Sequence, residues 1–437
     1  MLPGIGLVLA AAPLVMQSSA RPRMGVIPVV AVVLFGVWLL LLRWALPGFG
    51  RRLLRVFGVI AVLTVLLMLP RVLWRWAGAP AGWVMTLHQY LLGPATVVQV
   101  AMLAGLFTAP VWVPLGRLVK RWLRKQDAVL QTDVVLQTDA VLQTDAVLQT
   151  DAKFPQILTR RSLLQTLPWV LPGGAMVGAS YGVLIESSQI VLRRVRIAVA
   201  GLPPELHGFR IGQVTDIHIS RFQTQLRHLE RGLELLAGEK LDLLCPTGDL
   251  CDEFRLHLDT LRLIKQVPAR LGHIACVGNH ELYLADSSTI RHTYERAQIQ
   301  LLEEDSTLVG GLRLAGVGFA HSGVVPRLDE RLVPGQLERA LKNRRSDEPT
   351  VLLAHHPHVF RHVEKLQVAL QLSGHTHGGQ VGLLGKSLLS PVYPLIRGHY
   401  RTPDQATQLF VSAGLGHWLP FRFGCPPEVV VIELVPA

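Results

Sequence analysis

Residues 368–380 read Val368-Ala369-Leu370-Gln371-Leu372-Ser373-Gly374-His375-Thr376-His377-Gly378-Gly379-Gln380. The apolar run from Val368 to Leu372 predicts a strand. A glycine-wrapped H-x-H follows at its C-terminal end, where α/β sheets usually place their sites. Side chains alternate along an extended segment, so His375 and His377 are expected to aim at one centre. Neutral imidazole is the commonest protein ligand for divalent first-row metals. Paired surface histidines are also common, so the motif alone leaves a metal grip and a bland surface pair equally open. The other strand ends decide between them.

From Phe209 onward, short apolar runs alternate with amphipathic stretches, the pattern of a layered α/β domain. Arg210–Thr215 predicts a strand ending in Asp216-Ile217-His218, and Leu226–Leu236 a helix. Leu241–Cys245 predicts a strand ending in Gly248-Asp249-Leu250-Cys251-Asp252, and Leu256–Val267 a second helix. His273–Val277 ends in Gly278-Asn279-His280-Glu281, and Val351–Ala354 in His355-His356-Pro357. One Asp-x-His is ordinarily a surface pair, and one Gly-Asp a turn. Several such residues at successive strand ends of one sheet converge on one edge, and buried carboxylates there need a cation to offset them. Carboxylate, amide oxygen and imidazole together suit Mn, Fe, Zn or Ni.

In this order the motifs D-x-H, G-D-x-x-D, G-N-H-E, H and G-H-T-H resemble the calcineurin-like metallophosphoesterases, from about Leu192 to Leu434. Leu202-Pro203-Pro204, Gly378-Gly379-Gln380 and the stretch from Gly414-Leu415-Gly416 to Pro426-Pro427-Glu428 are similar to a membrane-anchored bacterial subgroup. Thr215 and Ile217 stand where serine and leucine are more usual, and His399 follows Gly398. The resemblance implies a four-layer α/β/β/α sandwich over 192–437 and two divalent metal ions. Asp216, His218 and His377 would hold one ion, Asp249 would bridge, and Asn279, His355 and His375 would hold the other. His280 would contact the scissile phosphate without ligating. His356, His358, Asp252 and Glu281 receive no ligand role. The implied activity is phosphoester hydrolysis by metal-activated hydroxide on a phosphodiester or a lipid-linked or envelope phosphoester. A non-catalytic phospholigand sensor and a nuclease are the alternatives.

The chain before this domain is of another kind. Residues 1–200 hold 19 Lys and Arg against 6 Asp and Glu, whereas 201–437 hold 24 against 25, and sixteen of the 17 histidines lie after residue 200. The excess positive charge flanks apolar runs, so it predicts membrane contact and gives no strong nucleic-acid signal. Four runs, Leu2–Met16, Val26–Leu42, Leu53–Leu69 and Val84–Val113, predict about four transmembrane helices within 1–116. A cytoplasmic linker, 117–162, contains four tandem Asp-Ala-Val-Leu-Gln-Thr hexapeptides at 127–150, with Val134 for alanine in the second. Leu163–Ile185, within 163–185, predicts a fifth span; Arg160-Arg161-Ser162-Leu163-Leu164 before it reads equally as a twin-arginine export signal or a positive-inside flank. With five spans, loop charge predicts a multi-pass protein of the bacterial inner membrane, its catalytic domain on the extracytoplasmic side. The four cysteines contain no C-x-x-C, which argues against structural zinc and leaves disulfides open.

Overall fold

The structure is a computed structural model of the chain. It describes residues 177–437 except 179, 184, 221–224, 322–327, 365, 384 and 418–420. The expected spans before residue 163, most of the fifth, the linker and the hexapeptides lie outside the described residues. Among the described residues, no helix is long and apolar enough to cross a membrane.

Two sheets build the domain. The first contains β1 (Val191–Val199), β2 (Arg210–Val214), β3 (Leu243–Pro246) and, last in the chain, β14 (Glu428–Pro436). Its order is β1-β14-β2-β3, with β14 parallel to β1 and antiparallel to β2. A short parallel pair, β4 (Ile274–Ala275) with β5 (Gln300–Leu301), continues alongside β3 through the Leu244–His273 bridge. The second sheet contains β6 (Asp305–Val309), β7 (Leu312–Gly316), β8 (Thr350–Leu353), β9 (Leu370–Ser373), β12 (Gly398–Arg401) and β13 (Gln408–Val411), in the order β12-β13-β9-β8-β7-β6. Between β9 and β12 the chain makes a small hairpin, β10 (Gly382–Leu383) with β11 (Lys386–Ser387). The helices are α1 (Gln225–Ala237), α2 (His257–Lys265), α3 (Asn279–Leu284), α4 (Ser287–Arg296) and α5 (Val333–Leu341).

Period-two alternation divides the strand side chains into three cores. Ile211, Leu243 and Cys245 from the first sheet meet Val351, Leu353, Leu370, Leu372 and Phe410 from the second, filling the space between the sheets. On the first sheet's other face, Leu244, Val429 and Val431 pack on Leu229, Leu233, Leu261 and Tyr294 from the helices. On the second sheet's other face, Leu352, Leu409 and Val411 pack on Val333, Leu337 and Phe360. The layers are therefore helix, sheet, sheet, helix. Strands covered on both faces read as continuous apolar runs, which is why they stood out in the sequence. Truncating one such residue, Leu372→Ala, costs about 2–5 kcal/mol through lost burial and the cavity left behind.

The expected elements exist, with ends shifted by at most two residues. One expectation is corrected: the candidate residues do not sit on a single sheet. Asp216 and His218 follow β2 and Asp249 follows β3 in the first sheet, whereas His355 follows β8 and His375 and His377 follow β9 in the second. The two sheets face each other, so the C-terminal ends of these parallel pairs share one edge.

Candidate metal centre

At that edge two groups of donors form, and a third, His218 with Asp252 and His280, overlaps the first. Asp216, His218 and His377 bring one atom each within 4.8 Å of one another, and so do Asp249, His355 and His375. In the first group the Nε2 atoms of His218 and His377 are 3.0 Å apart, and His377 Nε2 is 3.5 Å from Asp216 Oδ1. In the second, His375 Nδ1 is 3.3 Å from His355 Nε2, which is 3.3 Å from Asp249 Oδ2. The same Asp249 Oδ2 is 3.8 Å from His218 Nε2, so one carboxylate oxygen faces both groups. His375 and His377 fall in different groups, as on the two ions of the implied centre, whereas alternation along an extended segment would have aimed them together. Both have left-handed backbones, φ 70° and 49°, so the segment is a turn and their side chains separate into different groups.

The backbone under these residues is strained. Of ten described non-glycine residues at positive φ, five are Asp216, His218, Asp249, His375 and His377. Such conformations cost about 1–3 kcal/mol each and persist only where surroundings over-determine them. Close glycine approach is one such constraint. A Cβ on Gly374 would lie 2.1 Å from Asp216 Oδ2, and one on Gly278 would lie 2.2 Å from Asp249 Oδ1. Hydrogen bonds supply the others. Asp216 accepts from the His375 backbone N–H at 2.9 Å and from Thr215 Oγ1 at 2.8 Å. Asp249 Oδ1 accepts the His280 N–H at 2.8 Å. Ring tautomers are fixed from behind, as at metal sites generally. His355 Nδ1 donates to Thr247 O at 2.7 Å, and His218 Nδ1 to Asp252 Oδ1 at 2.9 Å, leaving both Nε2 atoms facing inward.

Asp252 Oδ1 also lies 2.9 Å from His280 Nδ1. One carboxylate thus holds His218 and the neighbouring His280 imidazole together, and the three bring donor atoms within 4.8 Å of one another. The His280 side chain is about one-third exposed, with Nε2 4.0 Å from Asp249 Oδ2. Glu281, which the sequence left without a role, is completely buried. Its carboxylate accepts three backbone N–H groups, from Gly278, Asp249 and Leu250, at 2.7–2.9 Å. It joins the G-D-x-x-D loop to the G-N-H-E loop.

Arg422 was not foreseen. Its guanidinium is fully buried and donates to the carbonyls of His377, Ala413, Gly414, Gly416 and Cys425. It fastens the end of the H-x-H turn to the loop beyond β13. An arginine flanked by Phe421 and Phe423 is the only signal the sequence offered. His356 lies with its ring 4.3 Å from that of His375, next to Phe319, so it packs behind the second group. His358 pairs with Glu330, away from both groups. All four cysteines are buried free thiols, and Cys251 donates to Thr260.

Electrostatics divides the carboxylates. Burial pushes Asp216 up, with Asp249 adding to the rise. Burial would also raise Asp249, but the imidazoles of His355 and His280 overcome it and hold the carboxyl well below the usual range. Burial opposes charge on His280, yet Asp249 and Asp252 raise it to about 9. Burial opposes charge on His355 too, yet Asp249 and Asp216 raise it to about 10. Burial and the neighbouring His355 drive His375 down to about 3, and burial with His218 drives His377 well below its ordinary value.

The donor set fits divalent cations. Inward-facing imidazole nitrogens stand 3.0–3.3 Å apart in each group, where no proton arrangement serves every pair as well as a shared cation. Asn279 Oδ1 and His377 Nδ1 are buried without a hydrogen-bond partner. An orphaned amide oxygen costs about 1–3 kcal/mol unless something accepts its lone pair.

Comparison with known proteins agrees with this geometry. A family model described as calcineurin-like phosphoesterase matches residues 209–379. A metallophosphoesterase of Aquifex aeolicus is 30% identical over 228 residues, 52% of this chain and 84% of that protein. One of Bacillus subtilis is 28% identical over 305 residues, 63% of this chain and 98% of that protein. A transmembrane protein with metallophosphoesterase domain from Bos taurus is 27% identical over 269 residues, 58% of this chain and 59% of that protein. With its motif residues gathered at one edge of a four-layer sandwich, this chain belongs to the calcineurin-like metallophosphoesterases and is a metal-dependent phosphoester hydrolase.

Proposed function

We propose that the chain is a membrane-tethered phosphoesterase with a dinuclear centre. Asp216, His218 and His377 hold one cation, Asn279, His355 and His375 hold the other, and Asp249 bridges. When bound, two such cations acidify a water and neutralise the phosphoryl oxygens of an anionic ester. The observation that carries this reading is Asp249 Oδ2, which faces an imidazole of each group at 3.8 and 3.3 Å.

The chain's own residues supply orientation and a proton. Asp252 fixes the His280 ring through Nδ1, so Nε2–H is the end presented to a phosphoester at the exposed mouth of the site. In its protonated form His280 stabilises charge on the ester or passes its proton to the departing oxygen. Glu281 holds the Asp249 and His280 loops in register while that proton moves. A phosphodiester or a lipid-linked or envelope phosphoester suits an enzyme carried in the bacterial inner membrane as a multi-pass protein with this domain outside. The complete donor set favours catalysis over a retired phospholigand sensor.

The test uses the full-length chain in detergent, with metal analysis and turnover of bis-p-nitrophenyl phosphate and p-nitrophenyl phosphate under Mn²⁺ or EDTA. Two bound cations are expected, with EDTA-sensitive turnover that falls about 10²–10⁴-fold in His280→Ala while metal content is kept. Absence of bound metal in the wild type would overturn the reading. Protease treatment of spheroplasts checks the topology, and a protected C-terminal half would reverse it.

A further inference from the structure

The hairpin β10–β11 and the turn after it form an apolar protrusion that the catalytic chemistry does not use. Leu383, Leu388 and Val392 are 58%, 56% and 73% exposed, and Leu389 and Tyr393 are exposed beside them. Five of the thirteen large apolar side chains exposed among the described residues fall within 382–394, so they form one patch and not the usual scatter. Lys386 is the only charge in that stretch, and it contains no carboxylate. The remainder of the domain surface is richly charged.

Three observations indicate what covers it. The protrusion is built onto the backbone of the H-x-H turn: a Cβ on Gly379 would lie 2.8 Å from Ser387 Oγ and 3.1 Å from Leu389 Cδ1. Its base is also where the chain arrives from the apolar segment before residue 186. Gly382 N–H donates to Phe423 O, the Phe423 ring meets that of Tyr181 edge-on at 6.2 Å, and Arg422 N–H donates to Gly182 O. Glu186 accepts from Gly424 N–H, and Tyr181 and Ile185 are themselves exposed. Finally, the sequence upstream carries runs long enough to span a bilayer. Leucines, a valine, a tyrosine and one lysine, with no acidic group, match the headgroup boundary of a lipid surface.

We propose that residues 382–394 seat the domain on the bilayer and hold the metal edge at headgroup level, so that the substrate is a phosphoester carried on a lipid. This rests on the membrane-tethered phosphoesterase reading. The experiment uses the full-length chain in nanodiscs of phosphatidylcholine and phosphatidylglycerol. Val392→Cys is labelled with the fluorophore NBD, the native thiols being buried, and Leu308→Cys on β6 is the reference. Lipids with a doxyl quencher in the acyl chain should dim the 392 label by about twofold or more and leave the 308 label unchanged. Turnover is compared on hexadecyl p-nitrophenyl phosphate in the disc and on soluble bis-p-nitrophenyl phosphate. The double variant Leu388→Glu with Val392→Glu should lose about tenfold on the lipid ester through lost orientation and stay within about twofold on the soluble one. Equal quenching at 392 and 308 would overturn the docking. Equal losses on both esters would overturn the substrate class. Quenching at 392 with turnover of neither ester by the wild type would uphold the docking and sink the phosphoesterase reading instead.

Discussion

The first sheet brings the charged donors to the metal edge: Asp216 and Asp249, with Asn279, His218 and His280 beside them. The second brings imidazole alone, from His355, His375 and His377. Each sheet also orients the other's groups. Thr247, after β3, accepts the His355 Nδ1–H; the His375 N–H crosses to Asp216; and Gln213 of β2 donates to Ser373 O of β9. Carboxylates stand on one wall and imidazoles alone on the other, so neither wall is a binding site by itself. The centre exists only once the inter-sheet core has packed.

The sharpest way to break this contrast is Asp249→Ala. It removes the oxygen that faces both groups, so both cations should be lost. Several kcal/mol of charge stabilisation go with them, lowering kcat/KM by more than about 10³-fold. His377→Ala is the comparison from the other wall, expected to lose one cation and keep the second. Metal content per chain and turnover of bis-p-nitrophenyl phosphate report both. If Asp249→Ala keeps two metals and full activity, the division of roles between the walls is wrong.

Asp252→Asn tests bracing within the first wall. It weakens the hold on His218 and His280 together, and outer partners of this kind are worth about 10–100-fold in metal affinity or activity. Titration with Mn²⁺ separates the two, since a change in kcat alone would point to His280 and a change in metal affinity to His218. Glu281→Gln should act on folding. It puts an amide donor against buried backbone N–H groups, costing about 1–3 kcal/mol by thermal unfolding.

The smallest effect expected is a pH dependence away from the centre. His257 is fully buried, both ring nitrogens lack partners, and burial lowers its pKa. Above about pH 6.5 both folded and unfolded chains keep it neutral. Below that the unfolded chain binds a proton the folded one refuses, and stability falls by up to about 1.4 kcal/mol per pH unit. His257→Leu should flatten the fall in melting temperature between pH 7 and pH 5. An unchanged slope would mean that other groups dominate acid unfolding.

Much of this was legible in the sequence because the same residues end the strands and face the cations. The runs before Asp216, Asp249, Asn279, His355 and His375 are buried on both faces, so they appear as unbroken apolar words closed by polar ones. What stayed hidden depends on approach in space. That His375 and His377 part company follows from left-handed backbone imposed by Asp216 and Gly374, which are distant in sequence from each other. Glu281 looks like an ordinary helix-start acid until two loops are brought to it. Arg422 looks like a surface cation until five carbonyls surround it. Division of the strands between two sheets was invisible to pattern reading, since each strand is equally apolar in either.

The place of β14 bears on when the domain can form during synthesis. The last strand of the domain lies between β1 and β2, joining Arg210 to Glu433 across 223 residues. Closing so long a loop is slow, and pairings between remote segments generally delay folding. A ribosome will have made every candidate ligand before the strand that completes their sheet has emerged. Until then β2 is paired only on its β3 side, and its other edge is a hazard for unwanted pairing.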